Sequence, residues 1–102
     1  MVQKEIEKKL KACGFEKDSA NEDRFVFSDP KKIEVFFRHR YGRYGVSVEV
    51  SELDSHGIIG FVSFPILEIE RFDVKKCKDA VVFHIANPDI IYYTRIPLFS
   101  KS

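Results

Sequence analysis

Apolar residues recur along this chain in two rhythms. From the N-terminus, Val2, Ile6 and Leu10 stand four apart with Cys13 three further on, while Lys and Glu fill the remaining positions. That spacing puts one apolar stripe on a helix of about three turns. Gly14 suits the left-handed residue that ends helices, and Lys8, Lys9 and Lys11 stand where a helix C-terminus favours cations.

After residue 15 the rhythm becomes two. Asp18–Asp23 reads as a polar loop, Arg24–Phe27 as a strand, and Ser28–Lys31 as a turn. Ile33, Val35, Phe37, His39 and Tyr41 alternate with Glu34, Phe36, Arg38 and Arg40, and Val46, Val48 and Val50 alternate with Ser47, Glu49 and Ser51. The connection Tyr41–Gly45 joins these runs as a hairpin. Leu53–Gly57 reads as a loop and Ile58–Phe64 as a strand stopped by Pro65. Ile66–Phe72, short and charge-alternating, is assigned as a strand, and Asp73–Asp79 as a charged connection. A last hairpin runs Ala80–Ala86, Asn87–Asp89, Ile90–Ile96, and Pro97 suits an edge strand. The expectation is one α+β domain over residues 1–102, an N-terminal amphipathic helix packed on a mostly antiparallel sheet of hairpins.

At an offset of 36 residues, Phe25, Val26, Ile33, Glu34 and Phe36 fall on Phe61, Val62, Ile69, Glu70 and Phe72. Either a strand–turn–strand unit is duplicated, or two half-buried strand pairs draw on the same alphabet.

Length and composition narrow the class. At 102 residues, 44% hydrophobic and 32% charged, the chain is too apolar for a disordered tail and too interrupted for a membrane span. With no apolar run behind its first charges, the expected location is cytoplasmic. Net charge is +1, with 11 Lys/Arg against 8 Asp/Glu in residues 1–44 (+3) and 6 against 8 in residues 45–102 (−2). A dedicated nucleic-acid binder shows a larger excess. Few Asn and Gln beside many charges is a composition met in thermophile proteins. Cys13 and Cys77 are too few for a disulfide scaffold and too far apart for a CxxC motif, so both are expected as reduced thiols.

Candidate chemistry is sparse. His39, His56 and His84 form no HxH, HxxxH or HExxH spacing, so no metal site is assigned. Asp73-Val74-Lys75 has the DxK spacing of a metal-dependent nuclease, with Asp54 as a possible first carboxylate and Glu5 or Glu7 as a possible helix contribution, but it opens a charged connection and lies outside any apolar strand. Glycine pairs at 42 and 45 and at 57 and 60 lack the spacing of a phosphate-binding loop, so no cofactor is assigned. Arg38, Arg40, Tyr41, Arg43 and Tyr44 crowd one hairpin end. Arginine forks match phosphates and tyrosine planes stack on bases, which suits nucleic acid; equally, those arginines could pair with Glu34, Glu49 or Glu52 across the strands.

The C-terminal segment Ile96–Phe99 is apolar, and Ile90–Tyr93 places apolar or aromatic groups on both faces of its strand. One helix cannot cover both faces of such a sheet, so a curled sheet, a second helix or a partner subunit must do so. The leading expectation is therefore a non-catalytic module working through protein contact, as a homodimer or with another protein or peptide, with Tyr92, Tyr93, Leu98 and Phe99 as contact residues. Nucleic-acid binding through residues 38–44 is the alternative, and a metal-dependent nuclease the third.

Overall fold

A computed structural model of the chain describes residues 2–39 and 45–99. Helix α1 (Gln3–Ala12) buries Ile6 and Leu10 completely and leaves its charged faces in solvent. It ends as the sequence implies. Gly14 takes a φ of 101°, its N–H donates to the Lys11 carbonyl (3.1 Å), and the Phe15 N–H donates to the Leu10 carbonyl (3.0 Å). These are the two bonds of a Schellman motif, and they swing Phe15 back over the core.

Among the described residues eight strands follow, in two antiparallel sheets. The larger has the order β1 (Glu16–Lys17), β2 (Arg24–Phe27), β3 (Lys32–His39), β4 (Val46–Asp54), β5 (Gly57–Pro65). The smaller has the order β6 (Arg71–Lys76), β7 (Ala80–Ala86), β8 (Ile91–Pro97). Register follows the alternation: Val35 faces Val50 and Phe37 faces Val48 between β3 and β4, and Val48 and Val50 face Phe64 and Val62 between β4 and β5. The architecture is α+β, one helix on antiparallel sheets of hairpin strands.

The second layer comes from the chain itself. Phe25, Ile33, Val35, Phe37 and Val48 from the five-stranded sheet share one buried cluster with Phe72, Val81, Phe83 and Ile85 from the three-stranded sheet, and with Ile6 and Leu10 of α1. Phe15 joins the two sheets, its ring 5.4 Å from that of Phe27 and 6.1 Å, edge-on, from that of Phe83. At the far end the Phe64 and Tyr92 rings meet at 5.7 Å. A missing cover was one reason to expect a partner subunit, and the three-stranded sheet supplies that cover instead.

Three assignments made from the sequence are corrected. Ile66–Phe72 is not one strand: Pro65 ends β5, Ile66–Glu68 forms a single 3₁₀ turn closed by the Ile69 N–H on the Ile66 carbonyl (3.2 Å), and only Arg71 and Phe72 belong to a strand, as the start of β6. Burial of Ile66 and Ile69, three apart, favours this turn, which carries the chain from one sheet to the other. Asp73–Asp79 is not wholly a connection, since Arg71–Lys76 forms β6. Only Phe72 of that strand is fully buried, so charge masks its alternation. Leu53 and Asp54 extend β4, which leaves a two-residue turn, Ser55-His56, before Gly57 at φ 118°. The 36-residue offset has no counterpart in the pairing. Phe25 and Phe36 lie on neighbouring paired strands, whereas their counterparts Phe61 and Phe72 lie in different sheets.

Candidate interaction surfaces

A free sheet edge is a row of unpaired backbone donors and acceptors, and proteins guard such rows with charge, proline, short length or a covering element. Four strands form edges here. The β1 edge is two residues long and both are charged. The β6 edge carries Arg71, Asp73, Lys75 and Lys76, and α1 packs beside it, Lys9 Nζ donating to the Phe72 carbonyl (2.7 Å) and to Asp73 (3.1 Å). The β8 edge carries Arg95, which donates to Asp79, and ends in Pro97.

The fourth edge is different. Gly57-Ile58-Ile59-Gly60-Phe61-Val62-Ser63-Phe64-Pro65 has no charged residue in nine positions. Ile58, Ile59 and Phe61 are 62%, 54% and 58% exposed. A bulge interrupts its pairing, Leu53 facing Ile58 and Glu52 facing Gly60, so Ile59 is the extra residue. From Gly60 to Pro65 the ladder is regular. The sequence reads Ile58–Phe64 as a strand, excludes Gly57 and Gly60 as a phosphate-binding loop and matches Phe61 and Val62 to Phe25 and Val26; it marks none of them as a contact residue. An uncharged run was visible there; its place at a sheet edge was not.

The neighbouring outer face of the five-stranded sheet is closed by charge pairing. Arg38 Nε donates to Glu49 Oε2 (3.0 Å), and its guanidinium carbon lies 4.3 Å from the centre of the Phe36 ring. Arg24 lies over the same ring at 5.8 Å and donates to Glu34 (2.7 Å) and Asp18 (2.8 Å). Laid across the carboxylates, these arginines leave Glu34 and Glu49 buried on a face that no other layer covers. The hydrogen bond from Arg24 holds the Glu34 carboxyl below its ordinary range despite burial. Asp18 is lowered too, first by the Ala20 N–H and then by Arg24. Lys31 reaches Glu52 at 3.1 Å and Lys32 reaches Glu34 at 3.3 Å.

The residues singled out from the sequence do not converge. Of the basic hairpin end, Arg38 is paired as above; Arg40, Tyr41, Arg43 and Tyr44 lie outside the described residues. Of the C-terminal group, Tyr92 turns inward onto Phe64, and Tyr93 turns outward beside His84 at 6.0 Å, 66% exposed. Leu98 is buried in the chain's own core, its N–H donating to the Asp79 carbonyl (2.8 Å), while Phe99 is 60% exposed. Leu98 and Phe99 both line a groove of about 950 Å³ where β8 passes the turn between β2 and β3.

Among the described residues no three His, Cys, Asp or Glu side chains gather to hold a metal ion. Asp73 of the DxK triplet is held below the usual carboxylate range by hydrogen bonds from Arg71 and then Lys9, and Asp54 lies in the other sheet. Cys13 is buried, which pushes its thiol pKa up, with Lys76 and Cys77 close by. Among the described residues no helix is long and apolar enough to cross a membrane. No protein-family model, curated protein or solved structure matches the chain.

Proposed function

We propose that this chain is a small non-catalytic binding module of the cytoplasm that works through protein contact, and that its contact surface is the β5 edge. The observation behind the proposal is the contrast among the four described edges: three carry charged residues, and β5 carries none. An extended partner segment laid along β5 gains main-chain hydrogen bonds, while its alternate side chains meet Ile59 and Phe61. Each of the three exposed apolar residues has over half its surface still to bury, worth roughly 1–2 kcal/mol apiece. The two cysteines, unpaired here, suit a reducing compartment.

A photo-reactive phenylalanine analogue at Phe61, irradiated in the producing cell, tests this reading. Protein adducts formed from position 61 and absent from a control position on the exposed helix face, Lys8, support it. Equal adducts from both positions, or none from 61, overturn it. Salt-sensitive retention of a nucleic-acid probe, abolished by Arg40→Glu with Arg43→Glu, would replace it with the alternative.

A further inference from the structure

We infer that the partner of the β5 edge is the β5 edge of a second copy of this chain, the two strands running antiparallel about a two-fold axis within Gly60–Ser63. This rests on the edge-docking reading above and names its occupant. Three observations favour a second copy. A strand edge is completed by another extended strand with an open edge, and among the described edges of this chain β5 alone carries no charge. Two-fold antiparallel pairing sets each residue against a symmetry-related residue of the same strand, so an edge without charge meets no like charge in any register. Pairing β6 with itself would compete with Lys9 Nζ for the Phe72 carbonyl, whereas β5 brings only uncharged groups together. The carboxylates on the next strand add no repulsion, because Glu49 is paired with Arg38 and Glu52 with Lys31.

Self-pairing would join two five-stranded sheets into one continuous sheet, with Phe61 and Ser63 of both copies on its outer face. The bulge at Ile59 bounds the pairing segment on one side, and Pro65, which has no N–H to donate, bounds it on the other.

Sedimentation of the purified chain over a dilution series, with a cysteine scan, tests the inference. The wild type is expected to sediment as a dimer, and Phe61→Lys as a monomer with an unchanged far-UV spectrum. If Phe61→Lys fails to fold, Ile59→Lys, at a position already 54% exposed, takes its place. In a Cys13→Ser, Cys77→Ser background, single cysteines replacing Phe61, Val62 or Ser63 should oxidise to covalent dimers fastest at the position nearest the axis and more slowly away from it. A monomeric wild type overturns self-pairing, and Phe61 photo-adducts to a different protein would then leave the edge-docking reading standing. A dimer that survives the lysine variants, or cysteines that cross-link equally slowly at all three positions, also overturns it.

Discussion

Replacing Phe15 by alanine separates a molecule with one shared core from one with two loosely apposed sheets. Phe15 is 2% exposed, and its ring touches Phe27 of the larger sheet and Phe83 of the smaller. Truncating a buried phenylalanine costs about 3–5 kcal/mol. The two ring pairs, one tilted and one edge-on, each worth about 0.5–1.5 kcal/mol beyond area, place this site toward the upper end. Against a total stability of about 5–15 kcal/mol that is a large fraction. At about 4–8 °C per kcal/mol for a domain of this size, the melting temperature should fall by about 12–40 °C. Urea unfolding followed by circular dichroism and by tyrosine fluorescence measures both the loss and its cooperativity. Phe15→Leu, which keeps much of the volume, should cost about 1–2 kcal/mol and provides the measurement if the alanine variant does not fold. A loss under about 1 kcal/mol, or two separate transitions in the wild type, would refute a core that Phe15 joins.

Three further predictions concern separate parts of the fold. Gly57→Ala places a side chain at φ 118°, so it should cost at least about 1–2 kcal/mol by thermal melting and loosen the β4–β5 turn. Glu34 has its pKa lowered in the folded chain by the hydrogen bond from Arg24, so its stabilising effect is complete above its ordinary value of 4.5 and fades as pH falls through the folded value. Glu34→Gln should therefore be less stable than wild type at neutral pH and show a flatter loss between about pH 5 and pH 2, read by urea midpoints at each pH. Cys77 should react quickly with a thiol reagent, and Cys13, buried and with its pKa raised, only at the rate of opening; two kinetic phases are expected, with the slow one lost in Cys13→Ser.

The elements that the sequence disclosed are those whose partners are local or whose burial is one-sided. Helix α1 follows from Ile6 and Leu10 with its Gly14 stop, and β2 and β7 agree with their alternation at both ends. The β6 strand was hidden because it lies at an edge and buries only Phe72 fully, so its sequence reads as a charged linker. The two-residue β1 is too short for any period. Division into two sheets depends on the turn at Ile66–Glu68, whose apolar residues fit a strand equally well until Pro65 and the burial of Ile69 decide between them. The candidate surface was half legible. Residues 57–65 visibly lack charge, but exposure of Ile58, Ile59 and Phe61 depends on β5 being last in its sheet, which no local signal carries. At the C-terminus, apolarity marked both Leu98 and Phe99; the backbone bond from Leu98 to Asp79 turns the first inward and leaves the second outside.

Amide hydrogen exchange along β5, followed residue by residue in dilute and in concentrated solutions of the wild-type chain, bears most directly on the proposed edge pairing. Amides of Gly60–Phe64 that point away from β4 should exchange freely when the chain is dilute and become protected as it is concentrated, with β1, β6 and β8 unchanged. Protection of those amides that does not vary with concentration, or a change confined to β8, would contradict it.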